Sequence, residues 1–225
     1  MKNKIWTTIF GVAVFFFVIT FSIGLPIYCR FFYYIQIKPL GLENYSGYDY
    51  ATIKNAYDQV LNYLTLPGFP FGTGVFKYSE SGMAHFVDCK ALFNLNLIVL
   101  LTSSAILITL GILHKKNKIT LLKPLGFSAG FYACVTLLAV FGILAILVAS
   151  NFDRAFVLFH SLFFPGKDNW IFNESVDEIL KILPETFFMN CAILIASSII
   201  IISITVIVVQ IIKKIKSKSK QQKTP

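Results

Sequence analysis

Residues 91–113 read ALFNLNLIVLLTSSAILITLGIL, and residues 114–123 follow as HKKNKITLLK. The first stretch carries no charge and, as a helix rising 1.5 Å per residue, is long enough to cross the ~30 Å hydrocarbon core of a bilayer. The second places Lys115, Lys116, Lys118 and Lys123 just beyond one end of it. An apolar span closed by a short lysine-rich loop reads as a transmembrane helix with that loop on the cytoplasmic side.

Outward from this pair, three further stretches, 5–33, 125–149 and 187–212, are apolar and long enough to span. Lys2 and Lys4 precede the first, and Lys213, Lys214, Lys216, Lys218, Lys220 and Lys223 follow the last. Four spans bring these three basic clusters to one side, so both termini and the 114–124 loop are expected in the cytoplasm. All 11 acidic residues fall in two polar excursions, 36–90 and 150–186, which are then extracellular. A chain with 56% hydrophobic and 14% charged residues is far from the composition of a soluble globular domain. The net charge of +9 does not point to nucleic acid, because the lysines flank spans and no basic groove with interleaved aromatics accompanies them. They suit anionic membrane lipids instead.

MKNK at residues 1–4 could open a signal peptide, but the apolar run behind it is longer than a usual h-region and holds Phe15, Phe16 and Phe17. The first span is expected to be retained. The fold class is therefore an all-α polytopic membrane protein, one integral membrane domain over 1–225. It is a four-transmembrane-helix bundle with a small extracellular α/β cap, expected as a monomer in the bacterial cell membrane.

Within span 1, Pro26 predicts a kink. In the first excursion Ser46 and Asp49 suggest a capping box, and Ile53, Tyr57, Val60 and Leu64 recur at helical spacing, which predicts a helix over 47–65. Pro67-Gly68-Phe69-Pro70 ends it, and the alternating Val75–Tyr78 reads as a short strand. In the second excursion Phe152, Phe156, Phe159 and Phe163 form a helical stripe that Pro165-Gly166 stops. Ser175-Val176-Asp177-Glu178 reads as a second capping box opening an amphipathic helix to Pro184, after which span 4 begins.

Four cysteines do not suggest a disulfide framework. Cys134 and Cys191 fall in spans, and although a Cys29–Cys89 bridge is geometrically allowed, inert thiols are the better reading. Asn94, Asn96, Thr102, Ser103, Ser104, Ser197 and Ser198 suit packing between helices, and the near absence of charge in the spans argues against ion pumping.

The three histidines differ in position. His114 opens the cytoplasmic loop, whereas His85 and His160 both sit at the outer ends of spans. Asp88, three residues after His85, can orient its imidazole if span 2 begins early. Asp153 and His160, two turns apart, share a helix face. The plain alternative is that both histidines are interface residues. No nucleophile elbow surrounds Ser79, Ser81 or Ser161, and no metal-binding spacing such as HExxH occurs, so neither a serine triad nor a metal is expected.

At His85-Phe86-Val87-Asp88, at Asn151-Phe152-Asp153-Arg154, at Phe159-His160-Ser161-Leu162-Phe163-Phe164 and at Trp170, the chain resembles the integral-membrane lipoprotein intramolecular transacylase family of low-GC Gram-positive bacteria. The resemblance covers essentially the whole length. It implies an O-to-N acyltransferase that moves the sn-2 acyl chain of a diacylglyceryl-cysteine lipoprotein to that lipoprotein's own α-amino group, giving the lyso form, without a cofactor. Its two important extracellular histidines match His85 and His160. The substrate partners are diacylglyceryl-modified lipoproteins, and the site faces the outer leaflet.

Chemistry makes that implication concrete. An α-amino group with a reference pKa near 7.7–8 is largely protonated at neutral pH and needs a base before it can attack an ester. Closure of N, Cα, Cβ, S, two glyceryl carbons, the ester oxygen and the carbonyl carbon forms a cyclic intermediate that a rigid pocket must hold. On this reading His160 is the base toward the amine and His85 stabilises the oxyanion or protonates the leaving oxygen, with exchange of the roles left open. Asp88 and Asp153 are candidate orienting groups, and Arg154 or Arg30 a candidate donor to ester oxygens. The competing readings are a non-catalytic four-span scaffold or lipid-binding protein, and a different outer-leaflet lipid acyltransferase. The HxxxxD pair of many such enzymes is missing, since residue 90 is a lysine.

Overall fold

The structure is a computed structural model that describes residues 1–221, apart from the side chains of Leu147, Lys220 and Gln221. Lys223 of the last lysine cluster lies outside the described residues. Four long helices are apolar enough to cross a membrane: α1 (Lys2–Tyr28), α5 (Glu80–Lys115), α6 (Ala129–Ser150) and α8 (Glu185–Gln221). Between them come α2 (Phe31–Tyr34), α3 (Leu42–Ser46), α4 (Tyr50–Thr65) and α7 (Phe152–Phe163), with single 3-10 turns at Pro124–Gly126 and Glu178–Lys181.

The residues pack as two units. One holds 1–22, 97–146 and, among the described residues, 196–221. Its close contacts involve small or hydrogen-bonded side chains: a Cβ added to Gly11 would lie 3.0 Å from that of Ala129, and Gln210 accepts the Ser128 amide at 2.9 Å. Ile98, Leu101, Ile143 and Ile201 stay exposed, as expected of side chains that meet lipid rather than protein.

The other unit holds 23–96 and 147–195 and is built on α4. Ile53, Ala56, Tyr57, Val60, Leu61 and Leu64 are all buried, which is one face of a 3.6-residue period. Tyr33 stacks on Tyr57 with ring centroids 3.7 Å apart and donates its hydroxyl to the Ile182 carbonyl at 2.8 Å. Asp58, on the polar side, accepts from Arg30, Tyr34 and Lys54. Burial alone would raise its carboxyl, but the bonds from Lys54, Tyr34 and Arg30 hold it below the ordinary carboxylate value.

Several expectations are corrected. The cap is helical and irregular: no strand forms among the described residues. Val75–Tyr78 finds no partner strand. Its neighbourhood bonds to side chains instead, with Gly74 N–H donating to Gln59 Oε1, Lys77 N–H to Glu178 Oε2 and Ser79 N–H to Asp177 Oδ1. The helix predicted over 47–65 starts at Tyr50. Gly47, at φ 77°, ends the short α3, and Asp49 caps α4 by accepting the Thr52 amide at 2.9 Å. The helix predicted over 176–183 shrinks to one 3-10 turn, because the Asp177 carboxylate turns inward to the amides of Ser79 and Asn173. Helix α1 ends at Tyr28, three residues short of the separate α2, shortening the first predicted span. All four cysteines are free thiols.

Candidate active site

Helix α5 begins eleven residues before the apolar stretch at 91, so His85 rides on a rigid extension of that helix. Its start is fixed by Ser79, whose hydroxyl accepts the Gly82 amide at 2.9 Å and whose own amide is held by Asp177 at 2.7 Å. Asp177 is 1% exposed, and its second oxygen accepts the Asn173 amide at 2.9 Å. This one carboxylate therefore joins the start of α5 to the 172–178 segment. Gly82 is obligatory beneath it: a Cβ there would lie 2.6 Å from Asp177 Oδ1 and 2.9 Å from the Phe172 ring.

His160 is carried by α7, whose N-cap Asn151 accepts the Arg154 amide at 2.9 Å. After Phe163 the chain leaves the helix through Gly166, at φ 72°, and curls back so that Trp170 donates its indole N–H to the Lys167 carbonyl at 3.0 Å. The curl lays Trp170 on the His160 ring, with centroids 4.8 Å apart and planes 27° apart.

The outcome is convergence. The rings of His85 and His160 lie 5.6 Å apart, centroid to centroid, and each histidine is only 6% exposed. Phe164 and Phe172 stand edge-on to His85 at 4.9 and 5.6 Å, and Phe156 packs on His160 at 4.2 Å. Burial holds the His160 imidazole below its ordinary value, although the bond to the Phe156 carbonyl works the other way. That bond, 2.7 Å from Nδ1 to an oxygen that can only accept, puts the proton on Nδ1 and leaves Nε2 as the proton-accepting nitrogen. His85 Nε2 lies 3.4 Å from the Cys89 sulfur, and its Nδ1 is buried without a hydrogen-bond partner.

The other predicted residues are placed as follows. Asp88 does not bond His85; its two oxygens accept from Lys167 Nζ and, at 2.9 Å, from Asn169 Nδ2. Arg30 is engaged on α4, donating to Asp58 at 3.0 Å and Asn62 at 2.6 Å. Asp153 lies beside Glu185 and interacts with its carboxyl. Arg154 lines an open groove with Asp153, Val157, Leu158 and Ser161. His114 is exposed, with Nδ1 3.2 Å from the Ile119 carbonyl. Among the described residues no cluster of three or more metal-binding side chains occurs. Sequence reading gave no part in the site to Asn169, Phe172, Asp177 or Gly82. Only the Pro165-Gly166 turn signalled a reversal there, and nothing local says which residues it returns to.

A profile of the family described as lipoprotein intramolecular transacylase Lit matches residues 8–188. The chain belongs to the Lit family. Three solved structures of Lit from Bacillus cereus are similar to it. The membrane-integral protein is 25% identical, with a TM-score of 0.83, over 97% of this chain and 98% of that one. The same protein with an H85R mutation, in its own numbering, is 27% identical at a TM-score of 0.75, over 98% and 95%. With an H85A mutation it is 26% identical at 0.75, over 97% and 96%. A comparison with curated proteins returned no match. This Lit chain is thus an acyltransferase and a multi-pass membrane protein, with four helices long and apolar enough to span.

Proposed function

We propose that this Lit protein moves the sn-2 acyl chain of a diacylglyceryl-cysteine lipoprotein to the lipoprotein's own α-amino group by relaying one proton between His160 and His85. The observation that carries the proposal is the 5.6 Å approach of two buried imidazoles inside an aromatic box. His160 Nε2 takes a proton from the amine as nitrogen attacks the ester carbonyl. The proton crosses to His85 and is delivered to the glyceryl oxygen as the C–O bond breaks. One N–C bond forms, one O–C bond breaks, the proton goes from N to O, and both rings return to their starting state.

Aromatic walls suit this work. Phe156, Phe164, Phe172 and Trp170 hold the imidazoles against rotation and leave little room for water, so the acyl group is kept from hydrolysis while the ring of substrate atoms closes. The reading further places the pair toward the outer leaflet with both termini in the cytoplasm. This rests on the alternation of lysine clusters and acidic excursions.

The test uses purified protein and an equal mixture of two diacylglyceryl lipopeptides that differ in peptide mass, one with an isotopically labelled sn-2 chain. Each product must retain its own acyl chain on its new amide. Scrambling of the label between peptides, or a requirement for added phospholipid, overturns the reading.

A further inference from the structure

The Asn169 amide is oriented by its surroundings. Its Nδ2 donates to Asp88 Oδ2 at 2.9 Å, and a carboxylate oxygen can only accept, so the amide cannot be turned the other way round. Lys167 holds the second Asp88 oxygen and keeps that carboxylate in place. The remaining amide atom, Oδ1, is buried without a partner. So is Nδ1 of His85, on an imidazole that is 6% exposed and with which the Asn169 side chain interacts. Where such an acceptor meets such a ring nitrogen, both are satisfied only if the nitrogen carries the proton; the other tautomer sets two lone pairs against each other.

We propose that Asn169 is a positioning residue: its Oδ1 accepts the Nδ1–H of His85 and so fixes Nε2 as the nitrogen through which His85 handles the travelling proton. The inference rests on the acid–base reading of His85 given above and sharpens it. With Nδ1–H committed to Asn169, neutral His85 has no second N–H to offer an oxyanion. It therefore receives a proton at Nε2 and passes it to the departing glyceryl oxygen. At rest the Cys89 thiol, 3.4 Å away, occupies Nε2 as a weak S–H donor that substrate displaces. Asp88, by orienting Asn169, acts one step further from the chemistry. A turn of chain distant in sequence thus sets the tautomer of a histidine on α5.

The test is the protonation state of His85 read directly. Full-length protein in detergent, labelled with ¹⁵N in the imidazole rings, is compared by long-range ¹H–¹⁵N spectra near neutral pH, the His85 signals being those lost in H85N. The wild type is expected to show His85 protonated at Nδ1 and unprotonated at Nε2. N169L, which removes the acceptor, is expected to lose that preference and to lower kcat about 10- to 100-fold with KM little changed. The swapped pair N169D/D88N, which keeps an acceptor oxygen at position 169 and a donor–acceptor contact with position 88, is expected to preserve Nδ1 protonation. The same His85 tautomer in N169L as in the wild type overturns the inference, as does its loss in N169D/D88N. Full activity in H85N would instead remove His85 from the relay, while the tautomer spectra still decide whether Asn169 holds the ring.

Discussion

His160 donates its Nδ1–H to the carbonyl of Phe156, one turn earlier on the same helix, at 2.7 Å. Because burial also holds the imidazole below its ordinary value, the neutral ring with Nε2 unprotonated is the favoured form at neutral pH. The substrate amine, with a reference pKa near 7.7–8, then limits the reaction. Activity is expected to rise as pH increases from about 6 to about 8 and then to level, following the amine. The acid limb from His160 itself should fall below the ordinary imidazole value of about 6.5. A pH profile of kcat/KM repeated with a substrate whose α-amine has a lower pKa checks the separation: the limb set by the amine moves with it, and the limb set by His160 stays. The same burial makes folding acid-sensitive: below about 6.5 the unfolded chain binds a proton that the folded one resists, so stability drops as pH falls.

Gly82 carries a second prediction. Its missing Cβ makes room for Asp177 Oδ1 and the Phe172 ring, neither of which can withdraw without breaking the junction between α5 and the 172–178 segment. G82A should cost about 1–3 kcal/mol of stability and lower activity, since Phe172 is also a wall of His85. Thermal unfolding and turnover are measured together; unchanged values in both would dismiss the junction.

Asp177 tests the same junction from its other side. Its carboxylate serves two backbone amides in a fully buried position. D177A leaves both N–H groups unsatisfied and should cost about 3 kcal/mol or more. The loss is to be read by denaturation of purified protein, with activity recovering in whatever fraction stays folded at low temperature.

Arg30 separates structure from chemistry. Its guanidinium bonds Asp58 and Asn62, so R30A is expected to weaken the α4 packing by about 1–2 kcal/mol. At a temperature where the variant is folded, kcat should stay near the wild-type value. A hundredfold fall in kcat without loss of stability would return Arg30 to the reacting ester.

Much of the architecture was legible in the chain because membrane spanning is written locally. An uncharged stretch such as 91–113 and the lysines after it need no partner to be read, and the buried face of α4 follows from the period of Ile53, Tyr57, Val60 and Leu64. His85 and His160 were likewise visible as polar residues in the excursions beside the spans. Their meeting was not, since it depends on the start of α5 and the curl after Gly166. The strand expected at Val75–Tyr78 failed for a related reason: alternation marks a strand only where a second strand exists, and here distant side chains, Gln59, Asp177 and Glu178, take the backbone bonds instead. The capping box at Ser175 was misread because its two members bond elsewhere: the Ser175 hydroxyl donates to Asn173 Oδ1, and Glu178 accepts the Lys77 amide.

The central claim is that His85 and His160 act as one proton-relaying unit. It is tested most directly by mass-spectrometric measurement of sn-2 to N-terminal acyl migration in H85N, H160N and the double variant, all in folded protein. Each single change should lower the rate by about 10²- to 10⁴-fold, and the double variant should be little slower than the worse single one. Full activity in either single variant would contradict the account.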